Sequence, residues 1–579
     1  MAYGQAGRCR RGGGSGAGES GRVRQSHLRL VWPLLCMAAV LLACLPALAA
    51  PTSAEQARQI VRGWLKRDGR PLRSPLGSVV TRVDTFRDGQ GQALYYVVYL
   101  DPSGFVIVPA DDQVEPVVGF APAGRFDPSP DDPLGALVSR DLAGRVGAAR
   151  QAATPAASRA ARQAQWTHLR QIADGSAVSI TSLGGVSDVR VAPFVQSRWN
   201  QTTEAGAPCY NYFTPNQYPA GCVATAMAQV MRYHQFPVAG VGIRSFTITV
   251  DGVLRSATTR GGDGAGGPYN WSLMMLDPDS SITAAQREAI GAICYDAGLS
   301  VQMSYRETGS GAGNVGELAL VSTFGYSNAV RGYNNGYSIP AANLYDMINT
   351  NLDAAHPVLL GISGTVGGHA IVCDGYGYNA QTAYHHLNMG WGGYQDAWYN
   401  LPTIDSLPGP FTSVFECGYN IYTAGSGEII SGRVVDGQGN PIPGVTITAQ
   451  RTGGSAYSAI TNAGGIYAVA KVPSNASYTV TASAAGYTFQ VRSVSTGRSA
   501  NYSSAAGNRW AVDFQGQRMA IPGDITGDSR VNVLDLQRLA ASWNLQQGQA
   551  GYDPACDLNG DGAVNVLDLQ ILGQNWNKW

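Results

Sequence analysis

The chain has 579 residues, too many for one hydrophobic core, so several domains are expected. Lysine plus arginine and aspartate plus glutamate each total 40, so the formal net charge is zero and no basic field exists to drive nucleic-acid binding. With 73 glycines and 14% charged residues, the composition fits loop-rich β domains better than long charged helices.

Residues 1–50 read as an export signal. Arg22, Arg24 and Arg29 precede the apolar stretch Leu34–Leu45, and Ala47-Leu48-Ala49 supplies small residues for cleavage near Ala49 or Ala50. The stretch is shorter than the ~20 residues that span a bilayer and Pro46 follows it, so no integral membrane segment is expected after cleavage. Cys9, Cys36 and Cys44 leave with the signal, and the remaining six of nine cysteines lack the dense spacing of a disulfide scaffold. The pairing of Cys209, Cys294, Cys373, Cys417 and Cys556 stays open.

Residues 51–137 open with a helical pattern over Ala54–Lys66 and continue with strand-like runs at Leu94–Leu100 and Phe105–Pro109, a small α+β unit. Ala148–Gln165 is crowded with Ala, Arg and Gln and lacks aromatics, so 138–190 reads as an exposed helix or linker open to proteolysis. Residues 191–425 are rich in Tyr, Trp and Gly, with one long helical segment near Ala224 and strand-like runs at Val358–Ile362 and Ala370–Cys373. That pattern suits an α+β domain. Residues 427–515 hold short β-rich runs separated by turn clusters such as Asp436-Gly437-Gln438-Gly439, as in a β-sandwich. In 522–579, Asp524–Asp535 returns as Asp557–Asp568, a duplicated element.

Cys222 follows Gly221 at the start of a helical run of small and apolar residues. A helix N-terminus presents unpaired N–H groups and about half a positive charge, which favours thiolate over thiol. Of seven histidines, His27 lies in the signal and His168 precedes the 191–425 domain. His234 lies twelve residues along the Cys222 helix, roughly 18 Å away at ~1.5 Å per residue, too far to act as base. His369 follows Gly367-Gly368 and opens a strand that Asp374-Gly375-Tyr376 is expected to turn; His385 and His386 lie on the next strand, before Asn388. A thiolate–imidazole pair needs a third group to hold the imidazole, and an Asn carbonyl on a neighbouring strand is suitable.

The strings from Gly221 to Pro237, from Gly367 to Tyr376 and from Asn388 to Gly393 resemble, in order and separation, the cysteine, histidine and Asn-Gly-Trp-Gly-Gly blocks of the streptopain family of papain-like cysteine peptidases. The resemblance implies Cys222 as nucleophile, His369 as base, Asn388 as the residue orienting it, and Trp391 as an indole beside the site. Ser197-Arg198-Trp199-Asn200-Gln201 resembles the upstream block and makes Gln201 the side-chain donor of the oxyanion hole, with the Cys222 N–H as second donor. Met389 departs from the family, where a second Trp is frequent. Tyr305 with Gly309-Ser310-Gly311-Ala312 resembles a loop that shapes the substrate cleft. Tyr95–Leu100 followed by Gly104–Asp112 resembles the family's inhibitory pro-domain, which implies a zymogen inhibited by its own 51–137 segment, with the mature start between Ala148 and Arg190.

Ile430–Asp436, Pro443–Ile447 and Gly464–Tyr467 resemble the carboxypeptidase regulatory-like β-sandwich, implying a spacer or binding role. The terminal repeat resembles a type I dockerin. Asp557, Asn559, Asp561, Asn565 and Asp568 space oxygen ligands as in a calcium loop, with Ala563 at the seventh position, which ligates through its backbone carbonyl. The first copy has Asp524, Thr526, Asp528, Arg530, Asn532 and Asp535, with Ser529 in place of the turn Gly. The family reads a cohesin through residues ten and eleven of each loop, here Val533-Leu534 and Val566-Leu567.

The implied fold is multidomain: an α+β papain-like catalytic domain with an α+β pro-domain, a β-sandwich module and a small α-helical calcium-binding dockerin. The implied activity is that of a secreted or cell-surface cysteine endopeptidase acting on protein or peptide substrates. Calcium serves the dockerin only, with no cofactor for catalysis, and a cohesin-type domain is the anchoring partner. A non-enzymatic adhesin or scaffold component is the alternative. A carbohydrate-degrading enzyme would need two facing carboxylates, and no sequence block proposes them.

Overall fold

The computed structural model describes residues 51–151, 156–176, 186–335, 337–363, 368–401 and 414–578. The export signal at 1–50 lies outside them, as do parts of the expected activation region. Among the described residues no helix is long and apolar enough to cross a membrane.

Helix α1 (Ala54–Arg67) starts at a capping box in which Ser53 and Gln56 each satisfy the other's backbone amide. Its apolar face, including Ile60, Val61 and Trp64, packs on strands β1 (Val79–Arg87), β2 (Ala93–Asp101), β3 (Phe105–Pro109) and β4 (Gly119–Ala121). The region read as an exposed helix or linker is helical over Pro133–Arg150 and Ala156–Ala173, and the linker alternative does not hold there. Helix α2 (Pro133–Arg150) begins where Asp132 caps Gly135 N–H and Pro133 occupies the first turn. Its Leu134, Leu137, Val138, Leu142 and Val146 are buried against Leu344, Ile348, Leu360 and Ile371. Helix α3 (Ala156–Ala173) returns over α1, burying Trp166 and Leu169, with the Trp166 indole donating to Val114 O. A segment rich in Ala and Arg looked exposed because small residues carry little hydrophobic signal, yet they allow helices to approach closely.

The central sheet joins strand β5 (Ser187–Val191) to β6 (Asn328–Tyr333), β7 (Val358–Ser363), β8 (Gly368–Asn379), β9 (Thr382–Asn388), β10 (Ala397–Tyr399) and β11 (Val414–Tyr422). Its order is β1-β2-β3-β4-β10-β9-β8-β7-β11-β6, with β5 paired to β8. The N-terminal strands and those of the 191–425 region therefore form one sheet, joined where β4 pairs with β10 through Trp398 opposite Phe120. Asp374-Gly375-Tyr376 does not turn the chain. It is a bulge inside β8, where the absence of a side chain at Gly375 admits the Val191 carbonyl. Besides helix α4 (Cys222–His234), the domain contains α5 (Ala284–Ser300), α6 (Glu317–Ser322) and α7 (Ala341–Asp353), which the sequence reading missed.

Strands between Glu428 and Gln515 form two packed sheets around Val434, Val445, Ile447, Tyr467 and Val480. This module is seated on α7 rather than tethered as a spacer. Asn508 donates to Thr350 and Asn420 and accepts from Ile429 N–H, while Asp353 accepts from both Ser431 and Tyr376. In the tail, α8 (Val533–Ala541) and α9 (Val566–Gln574) enclose a small core of Ile525, Val531, Leu539, Cys556, Val564 and Leu572.

Candidate active site and calcium loops

Gly221 precedes α4 with φ 91°, and a Cβ there would lie 2.8 Å from the Met303 terminal methyl and 2.9 Å from Ser310 O, so only glycine delivers the chain into this helix. Cys222 is thereby the first helical residue, and its sulfur accepts the Ala370 N–H at 3.4 Å. β8 brings the base from the other side, with His369 opposite Ile362 of β7 and interacting electrostatically with Cys222. The imidazole Nε2 lies 2.8 Å from Pro130 O. A carbonyl only accepts, so Nε2 carries the hydrogen and Nδ1 faces the sulfur.

Electrostatics separates this pair from its chemical siblings. Burial pushes the Cys222 thiol up, but the hydrogen bond and charge of His369, with the Ala370 and Val223 amides, more than reverse it and leave the thiol below its usual range. Burial raises the other five described cysteines, Cys209 to about 12 and Cys556 to about 11. All six are free thiols. Burial lowers His369, yet the Cys222 thiolate, Pro130 O and Asp132 together hold it above its ordinary value. His234, His356 and His385 are driven down by burial, to about 3, 4 and 3. His386 is raised, but its Nδ1 contacts Asp374 at 2.6 Å and it is not paired with a cysteine.

Gln201 and Trp391 line the same cleft, of about 970 Å³, as Cys222 and His369. Asn388 stands apart from the arrangement expected of it. Although β9 pairs it with Val372, its carbonyl accepts from Gln229 (3.0 Å) and Gly390 N–H, and its amide donates to Ser197 O (2.9 Å). The group on His369 Nε2 is Pro130, from the turn before α2. Gln229 and Pro130 were missed. Gln229 falls two helical turns from Cys222 on the same face, and Ser129-Pro130-Asp131-Asp132-Pro133 is a helix-start signature that could have placed this turn. The 309–312 loop also borders the cleft.

In the tail, both loops fold alike. The first carboxylate of each, Asp524 or Asp557, accepts amides from the fourth to sixth positions, and the last, Asp535 or Asp568, accepts amides from the third and ninth. Carboxylate oxygens of Asp524, Asp528 and Asp535 lie within 4.8 Å of one another. Ser529 adopts the left-handed φ of 65° that Gly562 adopts at 85°, so the substitution keeps the turn. Converging carboxylate, hydroxyl and amide oxygens are the chemistry a hard divalent cation takes. Val533, Leu534, Val566 and Leu567 are 54%, 51%, 65% and 49% exposed, outside the small core.

Residues 199–399 match the Peptidase C10 family, and 49–139 match the Spi protease inhibitor family. This chain carries a peptidase C10 domain. Residues 429–505 match the carboxypeptidase regulatory-like domain and 522–576 the dockerin type I domain. Streptopain of Streptococcus pyogenes serotype M1 is 26% identical to the C10-bearing chain over 341 residues, covering 54% of it and 74% of that relative. The thiol protease/hemagglutinin PrtT of Porphyromonas gingivalis is 29% identical over 433 residues, 70% of this chain and 44% of that one. A prointerpain A fragment of Prevotella intermedia is 21% identical, covering 59% of this chain and 98% of that one with a TM-score of 0.41.

Proposed function

We propose that the C10 domain is a secreted cysteine endopeptidase made as a zymogen, with Cys222 as nucleophile and His369 as base. The observation that carries this reading is that Cys222, the first residue of α4, and His369 line one cleft, with the Ala370 N–H next to His369 on the Cys222 sulfur. Nδ1 of His369 takes the thiol proton, and the sulfur adds to the scissile carbonyl. The oxyanion is held by the Cys222 N–H and the Gln201 amide. Collapse breaks the C–N bond as the imidazolium protonates the leaving amine, and water then hydrolyses the thioester by the same base. With Pro130 on His369 Nε2 and Asp131 lining the cleft, the 51–137 segment is read as an inhibitor that acts until the chain is cut between Ala148 and Arg190. Once it leaves, Asn388, on the strand paired with that of His369, is the proposed replacement on the imidazole.

The test is alkylation of the processed protein. Iodoacetamide should block hydrolysis of an unfolded protein substrate, and Cys222 should react at lower pH than the other described cysteines, because its pKa is lowered while theirs are raised. Hydrolysis undiminished after complete modification of Cys222 would overturn the reading.

The tail is proposed to bind two calcium ions and, so loaded, a cohesin-type partner through the two exposed apolar pairs. Asp524, Thr526, Asp528, Asn532 and Asp535, with the Arg530 carbonyl, would hold one ion. Asp557, Asn559, Asp561, Asn565 and Asp568, with the Ala563 carbonyl, would hold the other. Calcium titration of the full chain by calorimetry should give two sites with Kd no weaker than about 10⁻³ M, and one site after Asp557→Ala. Peptidase activity should not change. An absence of calcium heat would reject this assignment.

A further inference from the structure

The β-sandwich reaches the cleft through one arginine. β6 is the last strand of the central sheet, and its outer edge is covered by the 501–503 segment of the module. Arg331 N–H donates to Asn501 Oδ1 (2.9 Å), Tyr502 N–H donates to Arg331 O (2.8 Å) and Tyr333 N–H donates to Ser503 O (3.0 Å). The Tyr502 ring lies 5.1 Å from the Arg331 guanidinium, whose Nε contacts Glu416 Oε1 at 2.7 Å. Glu317 of α6 lies 3.6 Å from the same nitrogen. Two carboxylates, both wholly buried, thus share one cation.

Glu416 forms part of the wall of the catalytic cleft. On the sheet it sits opposite Gly361, which sits opposite Ala370, the residue whose amide meets the Cys222 sulfur. Two strand spacings, about 10 Å, separate the Glu416 and Ala370 backbones, and their side chains share the face on which α4 lies. Gly361 keeps the space between them clear, since a Cβ there would come within 2.9 Å of the Glu416 Cβ. Among the described residues, no donor reaches Glu416 Oε2 or either Glu317 oxygen.

We propose that Glu416 is a specificity-determining residue that favours substrates with a basic side chain at this end of the cleft, and that the 501–503 segment is its positioning element, holding Arg331 against it. The inference rests on the peptidase reading of the cleft. Burial raises Glu416 while Arg331 opposes the rise, and when both carboxylates are ionised the group carries one more negative charge than Arg331 neutralises, a surplus that acts across the thin wall at Gly361 with little solvent screening. The groups facing Glu416 are Glu317 from α6, Arg331 from β6 and Cys417 beside it on β11, while the rings of Tyr333 from β6 and Tyr502 from the module face Arg331. Burial and the neighbouring Glu416 charge raise Glu317 to about 7, so the pair's net negative charge grows as pH rises through that value.

The experiment compares peptides identical except for lysine or norleucine at each position before the scissile bond. Processed full-chain wild type should prefer lysine at one position by about tenfold in kcat/KM, an effect of the size that local fields produce. Glu416→Gln should remove the preference at every pH. Tyr502→Ala, at an exposed ring, should leave melting unchanged and weaken the preference near neutral pH. Raising the pH by about two units should restore it, since lysine stays charged to about pH 10. Equal cleavage of both peptides by wild type, or an unaltered preference in Glu416→Gln, overturns the inference alone. If wild type hydrolyses neither peptide nor an unfolded protein, the peptidase reading falls with it.

Discussion

Cys222→Ala is expected to reduce hydrolysis of an unfolded protein below about a hundredth of wild type, because loss of a nucleophile that acts as a unit with its base removes nearly all chemical acceleration. Among the described residues no other cysteine can substitute. Burial raises each of the remaining five, so none supplies thiolate near neutral pH. His369→Ala should lose as much, and the double variant should lose no more than either single one, the signature of residues that act as a unit. If the chain removes its own inhibitor, both variants should accumulate as uncut precursor on a gel. Turnover in Cys222→Ala above that hundredth would place the chemistry elsewhere.

The second large effect is on the precursor's stability. Arg145 of α2 is 3% exposed and makes an ion pair with Asp141 (2.8 Å), approaches Glu115 at 3.5 Å and donates to Asn400 Oδ1 (2.7 Å) just after β10. It thereby ties the inhibitory segment to the peptidase sheet, where Asp141 also accepts the Tyr399 hydroxyl. Arg145→Ala removes the cation from Asp141 and the donor from the Asn400 carbonyl in a buried seam, while Glu115 keeps Arg162, and breaking such a buried pair costs about 3–5 kcal/mol. In the Cys222→Ala background, so that cleavage cannot confuse the reading, urea unfolding should show a loss of that order. Trypsin should also release the N-terminal segment faster. A change under about 1 kcal/mol would mean that water or neighbouring groups solvate the seam.

Much of the site was legible because its chemistry depends on local features. A glycine before a helix of small residues announces a cysteine at a helix N-terminus, and twelve helical residues suffice to remove His234 from contention. The calcium loops were equally readable, since the ligands of each lie within twelve consecutive positions. Less could be read where a role depends on distant partners. The amide of Asn388 is held by Gln229 and Ser197, and Pro130, 239 positions away in sequence, sits on His369 instead. The buried helix α2 escaped notice because alanine and glycine hide an amphipathic pattern.

The sequence by itself placed Cys222 at a helix start, put His234 out of its reach and set the oxygen spacing of both tail loops, all of which follow from backbone geometry over a few turns or residues. The order of the modules and the proposed base and oxyanion donor came from resemblance to known families. Tertiary structure alone decided that inhibitor and peptidase share one sheet through the β4–β10 pair, and that the β-sandwich grips Arg331 behind the cleft. Strand pairing and buried charge are set by segments hundreds of residues apart, and no local pattern specifies which edge another segment will cover.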